Sequence, residues 1–195
     1  NVYPTLQNKP YYSKLNDNIK DVYSTLNESH FGLNLVKERI LEIISVYLRS
    51  KDSPPPVICF VGAPGVGKTS LIYSIAKAMN RVMCKINING IIDPNTLVGS
   101  ESHYVGARHG RISEALINSK VMNPLILLDE IDKVSKDRSS EGTVGNILLG
   151  ILDPTQNHEF HETFFGFELD LSKCMFICTA NDISQISKPL LDRLQ

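Results

Sequence analysis

Apolar residues recur along this chain in two different rhythms, and the switching between them predicts its architecture. From Ser13 to Asn27 the positions Leu15, Ile19, Val22, Tyr23 and Leu26 recur every three or four residues, the period of one helical face. A second helix is predicted from Asn34 as N-cap, with Val36, Ile40, Ile43, Ile44 and Tyr47 as the apolar stripe and Lys37, Glu38 and Arg39 facing water. Ser53-Pro54-Pro55-Pro56 then ends regular structure, because proline lacks an N–H and fixes φ. Beyond it, short and nearly continuous apolar runs stand at Val57–Val61, Val82–Asn87, Leu125–Asp129 and Cys174–Thr179. Helical patterns at Lys68–Met79, Gly110–Lys120 and Val144–Leu152 separate them. Strands without polar alternation are buried on both faces, so this order predicts an α/β fold, a parallel sheet with helices on both sides. The first dozen residues, with Pro4, Pro10 and Tyr11-Tyr12, carry no period and read as an arm that wraps another part of the molecule.

A chain of 195 residues suffices for one substantial domain with a short appendage. Twenty basic and 21 acidic residues are interspersed, and the net charge of -1 gives no general pull toward nucleic acid or an anionic membrane. No apolar run approaches the roughly 20 residues that span a bilayer, and the polar, Asn-rich start lacks the apolar core of a secretory signal. Cys59, Cys84, Cys174 and Cys178 lie in strand-like stretches and read as small core residues of a reducing compartment. A zinc site with His158 and His161 is disfavoured, since zinc ligands come as tight pairs on turns and these do not.

The chemistry is concentrated at strand ends. Gly62-Ala63-Pro64-Gly65-Val66-Gly67-Lys68-Thr69 follows the first strand and matches the phosphate-loop pattern G-x-x-x-x-G-K-[ST] in full. Glycines let the backbone turn so that successive N–H groups face a β-phosphate at the positive end of the next helix, which opens with Lys68, Thr69 and Ser70. Lys68 would neutralise the β- and γ-phosphates of ATP, or the β-phosphate of ADP, and the Thr69 hydroxyl would ligate Mg2+. The strand Leu125–Leu128 delivers Asp129 and Glu130 at its C-terminal end, where open α/β sheets place ligands. Asp129 would hold the magnesium and Glu130 would polarise the water that attacks the γ-phosphate.

Asp129-Glu130-Ile131-Asp132-Lys133 resembles the acidic motif of AAA+ ATPases. Thr179-Ala180-Asn181 is similar to their sensor-1 position, where a polar side chain helps orient the attacking water, and Pro189-Leu190-Leu191-Asp192-Arg193 resembles the segment carrying their arginine finger. Within that group the chain most resembles Lon proteases. His30-Phe31-Gly32-Leu33 with Val36–Glu42, Tyr104-Val105-Gly106-Ala107 with Gly110-Arg111-Ile112, Leu152-Asp153-Pro154 with Gln156-Asn157 and Phe160, and Asp170–Ile177 carry the likeness.

The resemblance implies a three-layer α/β/α P-loop NTPase, the AAA+ large subdomain, over residues 29–195, preceded by an arm and linker helix over 1–28. It places His30, Phe31 and Gly32 near the adenine and makes Asn181 and Arg193 catalytic. Tyr104 and Val105 become the first pore loop, gripping unfolded or damaged polypeptide, and Val134–Thr143 a second. It further implies a homo-hexamer in which Arg193 serves the neighbouring subunit, located in the mitochondrial matrix of a eukaryote or the cytoplasm of a bacterium. The Asn-rich style leans eukaryotic. Ser100-Glu101-Ser102-His103 stands where Lon commonly has basic residues, and Gly150 where many members have an acid, departures that bear on substrate preference and subunit contacts. The chain ends before the family's fifth strand and helical lid, so the P-loop strand is expected at the sheet edge. The Ser-Lys peptidase pair has no candidate here, so this chain alone is not expected to cleave peptide bonds. A nucleotide-switched assembly module and, less well, a small-molecule P-loop kinase are the competing readings.

Overall fold

The computed structural model describes residues 11–50, 53–134 and 144–195. Its main sheet is parallel, with β1 (Ile58–Val61), β6 (Met175–Ala180), β3 (Leu125–Asp129) and β2 (Met83–Asn87) as neighbours in that order. Side chains of a strand alternate between faces, and the sequence makes both faces apolar. Leu125, Leu127, Met175 and Ile177 pack on one side with Leu71, Ile72 and Ile75, while Ile126, Leu128, Phe176 and Cys178 pack on the other with Ile112 and Leu116. The first side is covered by α1 (Ile19–Ser29), α2 (Asn34–Arg49) and α3 (Lys68–Ala78); the second by α4 (Asn95–Val98), α5 (Arg111–Ser119) and α6 (Val144–Leu152). The short helix α7 (Lys188–Leu191) packs beside α6. This is the three-layer α/β/α arrangement.

The strand run 174–179 shifts by one residue: Cys174 precedes β6, buried, with its backbone N–H bonded to Leu171. The first helix starts at Ile19 rather than Ser13, because Asn18 caps it by accepting from the Lys20 N–H. Tyr23, placed on the apolar stripe, is instead exposed, whereas Val22 and Leu26 are buried. Asn34 is not the N-cap of α2; Leu33, in the left-handed region at φ 55°, takes that position without a side-chain cap. Lys37 does not face water either. Its chain is buried and its Nζ donates to Asn27 Oδ1 at 2.9 Å and His30 O at 2.5 Å, tying α2 to the end of α1. A pattern of charge alone could not show that the end of α1 would bring acceptors to this lysine.

Alternation over residues 160–169 is too short to stand out, and the antiparallel hairpin of β4 (Phe160–Glu162) and β5 (Phe167–Leu169) went unread in the sequence. Of the expected arm, residues 1–10 lie outside the described residues. Tyr11 O accepts from the Met122 N–H at 2.8 Å, and beyond the arm Asn16 bonds to Met79 O and Ala78 O, and Ser13 pairs with Asn123. The outer edge of β1 meets Gln195, whose N–H and C=O bond to Val57 and Cys59 at 3.0 Å.

Arg81 fastens the end of the sheet opposite the P-loop. Its Nη1 donates to the carbonyls of Asn123 (2.8 Å) and Lys173 (3.0 Å), which precede β3 and β6, and its Nη2 to the Tyr47 hydroxyl (2.8 Å). Burial pulls this guanidinium below its ordinary pKa, against the opposing pull of Tyr47.

Candidate nucleotide site

The candidate residues converge where β1, β3 and β6 end. Gly65 (φ 81°) and Gly67 (φ 90°) occupy the left-handed region, which lets the loop curl before α3 begins at Lys68. A Cβ at Gly65 would meet nothing within 4 Å, so the left-handed backbone rather than crowding is what favours glycine there. The first-turn N–H groups of α3 have no intrahelical partner and sit at the positive end of the helix dipole. Gly62, Ala63, Pro64 and Val66 complete the loop, and its entry is fixed by Gly62 N–H bonding to Ala180 O at 3.2 Å.

Lys68 Nζ donates to Gly62 O (2.5 Å), Ala63 O (3.1 Å) and Asn181 Oδ1 (3.0 Å), so the loop lysine and the residue just beyond β6 are in direct contact. Thr179, on β6, joins the acidic pair: its hydroxyl donates to Asp129 Oδ1 and accepts the Glu130 N–H at 3.0 Å. Lys85 on β2 reaches the other Asp129 oxygen at 2.5 Å. Burial pushes the Asp129 carboxyl up, but Lys85 and Thr179 together outweigh it and hold the carboxyl below its ordinary pKa. The group is therefore ionised at neutral pH.

Glu130 stands in the left-handed region (φ 60°, ψ 50°), a conformation that costs a non-glycine residue about 1–2 kcal/mol. Its Oε2 accepts from Asn89 Nδ2 at 2.9 Å. Neither Asn89 nor Lys85 was singled out in the sequence. The signal available was polarity at the end of β2, in Asn87-Ile88-Asn89-Gly90, the rim where such sheets bind ligands. Asp132 lies buried behind the acidic pair, with the Asp182 N–H and Lys133 Nζ each 3.4 Å from its Oδ2.

His30 Nε2 lies 3.0 Å from Ser70 Oγ, whose hydroxyl in turn donates to Gly67 O at 2.9 Å. That contact seats the turn of His30, Phe31 and Gly32 against the loop, with Phe31 fully exposed. The oxygen donors fit a hard cation: Asp129 supplies an ionised carboxylate and Thr69 an exposed hydroxyl at the start of α3.

Two sets of expected residues stand apart. Arg193 does not join Lys68; its Nη2 bonds to Asp153 Oδ2 at 2.7 Å beside an open groove lined by Asn146, Gly150 and Lys188. The Thr155 hydroxyl and N–H hold the Asp153 carboxyl below its ordinary pKa, with Arg193 adding to them. Tyr104 and Val105 lie on the loop between α4 and α5, and Val105 is fully exposed. The expected second pore loop, apart from Val134, lies outside the described residues.

Comparison with known proteins decides the family. The profile of the ATPase family associated with various cellular activities (AAA) matches residues 58–195, which include the P-loop, the acidic pair, Asn181 and Arg193. This chain belongs to the AAA family. The AAA module is also 42% identical over 193 residues to the Lon protease of Mycoplasma pneumoniae, covering 98% of this chain and 24% of that protein. It is 45% identical over 190 residues to the Lon protease of Campylobacter jejuni (94% and 24%), and 43% identical over 188 residues to Lon protease 1 of Myxococcus xanthus (95% and 23%). The likeness to Lon thus includes the helices before the P-loop as well as the AAA match. The chain spans about a quarter of the length of these relatives.

Proposed function

We propose that this AAA module binds and hydrolyses ATP with magnesium and, within a Lon-type protease, couples hydrolysis to unfolding and pulling polypeptide toward a peptidase chamber. The observation that carries the reading is the meeting of Lys68, Asn181, Asp129 and Glu130 at the ends of three adjacent strands. A P-loop lysine supplies positive charge to the transferred phosphoryl group, and a carboxylate at hydrogen-bond reach of water serves as general base. Glu130 takes the second role, oriented by Asn89, and Asn181 positions the attacking water from beside Lys68. Thr69 and Asp129 would hold the magnesium, which when bound neutralises charge on the phosphates.

Arg193, paired with Asp153 on an open face, is suited to reach a neighbouring subunit of a homo-hexamer. The exposed Tyr104 and Val105 are suited to press on unfolded substrate without regard to its sequence. No helix among the described residues is long and apolar enough to cross a membrane.

Glu130→Gln in the full-length protein tests the catalytic assignment. ATP affinity should stay within about threefold while turnover falls at least about a hundredfold. Undiminished turnover would remove Glu130 from the mechanism. Tyr104→Ala should spare ATP hydrolysis and abolish degradation of a folded substrate, whereas an assembly module without translocation would retain full activity.

A further inference from the structure

The loop that presents Tyr104 and Val105 leaves α4 at Gly99 and enters α5 at Gly110. Its two ends meet closely: a Cβ on Gly110 would lie 2.0 Å from Leu97 O, and one on Gly99 would lie 2.6 Å from Glu162 Oε1. Only glycines permit this neck. Both strands of the neck are fastened to one outside element, the β4–β5 hairpin. Thr163 N–H bonds to Val98 O at 2.8 Å on the entering side, and on the leaving side Gly110 N–H donates to Glu162 Oε1 at 2.8 Å. The second Glu162 oxygen accepts the Phe165 N–H at 2.7 Å, closing the hairpin turn. Phe165 stacks on His109 with ring centroids 6.0 Å apart and planes at 10°.

Glu162 is completely buried, and no cation contacts it among the described residues. Burying a carboxylate is costly unless its oxygens are hydrogen-bonded, and here each oxygen takes a backbone donor from a different segment. A glutamine would offer one acceptor and turn an N–H donor toward a second donor.

We propose that Glu162 is a positioning residue that locks the stem of the Tyr104 loop to the β4–β5 hairpin, so that motion of the ATPase body reaches the loop tip as a stroke under load. The inference rests on the reading of that loop as the substrate-gripping element. The tip is exposed and bears on substrate, while the stem is clamped by a buried carboxylate, the arrangement of a lever with a fixed root. Glu162 touches neither nucleotide nor substrate and acts through Gly110 and Phe165.

The test compares Glu162→Gln with the parent in the full-length protein. ATP turnover should stay within about twofold, degradation of a stably folded tagged substrate should slow at least about tenfold, and an already unfolded substrate should be much less affected. Amide hydrogen exchange should accelerate at residues 99–110 and remain unchanged at the P-loop, a signature that general destabilisation would not give. Degradation and exchange both unchanged in Glu162→Gln, with Tyr104→Ala abolishing degradation of the folded substrate, would overturn the role of Glu162 alone. If Tyr104→Ala itself leaves degradation intact, the loop reading fails and the lever with it. Should Glu162→Gln not fold, Glu162→Asp takes its place with the same supporting and overturning results, because one methylene less prevents the carboxylate from spanning both donors.

Discussion

Lys68, in the first turn of α3, donates through Nζ to Asn181 Oδ1 at 3.0 Å, although 113 residues separate the two in sequence. The parallel pairing of β1 with β6 creates the contact, since Val61 and Ala180 are register partners and each strand feeds one of the two residues into the same rim. The candidate phosphate-binding lysine and the candidate water-orienting amide are therefore in direct contact.

Asn181→Ala should separate binding from chemistry. Lys68 keeps the carbonyls of Gly62 and Ala63, so ATP affinity should change by less than about threefold while kcat falls about tenfold or more. Steady-state hydrolysis alongside titration calorimetry in the full-length protein provides the check.

Asn89→Ala should act in the same direction from the other side of the site. Removing the Nδ2 donor frees the Glu130 carboxylate, and kcat should drop about tenfold with KM within about twofold. A change confined to KM would place Asn89 in binding instead.

Arg81→Ala should destabilise the protein without touching the nucleotide site. It would strip the carbonyls of Asn123 and Lys173 of their donor in a buried place, at a cost of about 2–4 kcal/mol, read as a lower Tm of the full-length protein.

The cysteines should be inert in the native protein. Burial pushes the Cys59 thiol up to about 11, with nearby Asp132 adding to it, and burial pushes Cys174 up to about 12. At pH 8 only about one Cys59 thiol in a thousand is then ionised, and thiolate is the reactive form. These thiols should resist iodoacetamide until denaturant is added. Because the unfolded chain loses these protons near the ordinary thiol value of 9 and the folded chain keeps them, their contribution to stability should be full below pH 9 and decline as pH rises toward 11.

What was legible in the sequence follows from the range of the interactions concerned. The four parallel strands and the P-loop announce themselves through local pattern, because apolar runs and a glycine-rich turn are properties of neighbouring residues. Burial on both faces, expected of all four, holds for β3 and β6, whereas β1 and β2 at the sheet edges are partly exposed. Lys85, Asn89 and Glu162 do not, since their roles depend on partners brought in by the sheet register or by a hairpin too short to show a period. Lys37 misled for the same reason: three charged residues in a row suggest a solvated face, and only the packing of α1 against α2 brings acceptors to its ammonium. Arg193 was visible as a motif, but its pairing with Asp153, 40 residues away, was not.

Titration of ATP with magnesium into the full-length protein, wild type beside Lys68→Ala, tests the central claim most directly. Saturable binding that Lys68→Ala weakens at least about a hundredfold, roughly 3 kcal/mol, is the predicted result. Equal affinity in the two proteins would contradict the assignment of this rim as the nucleotide site.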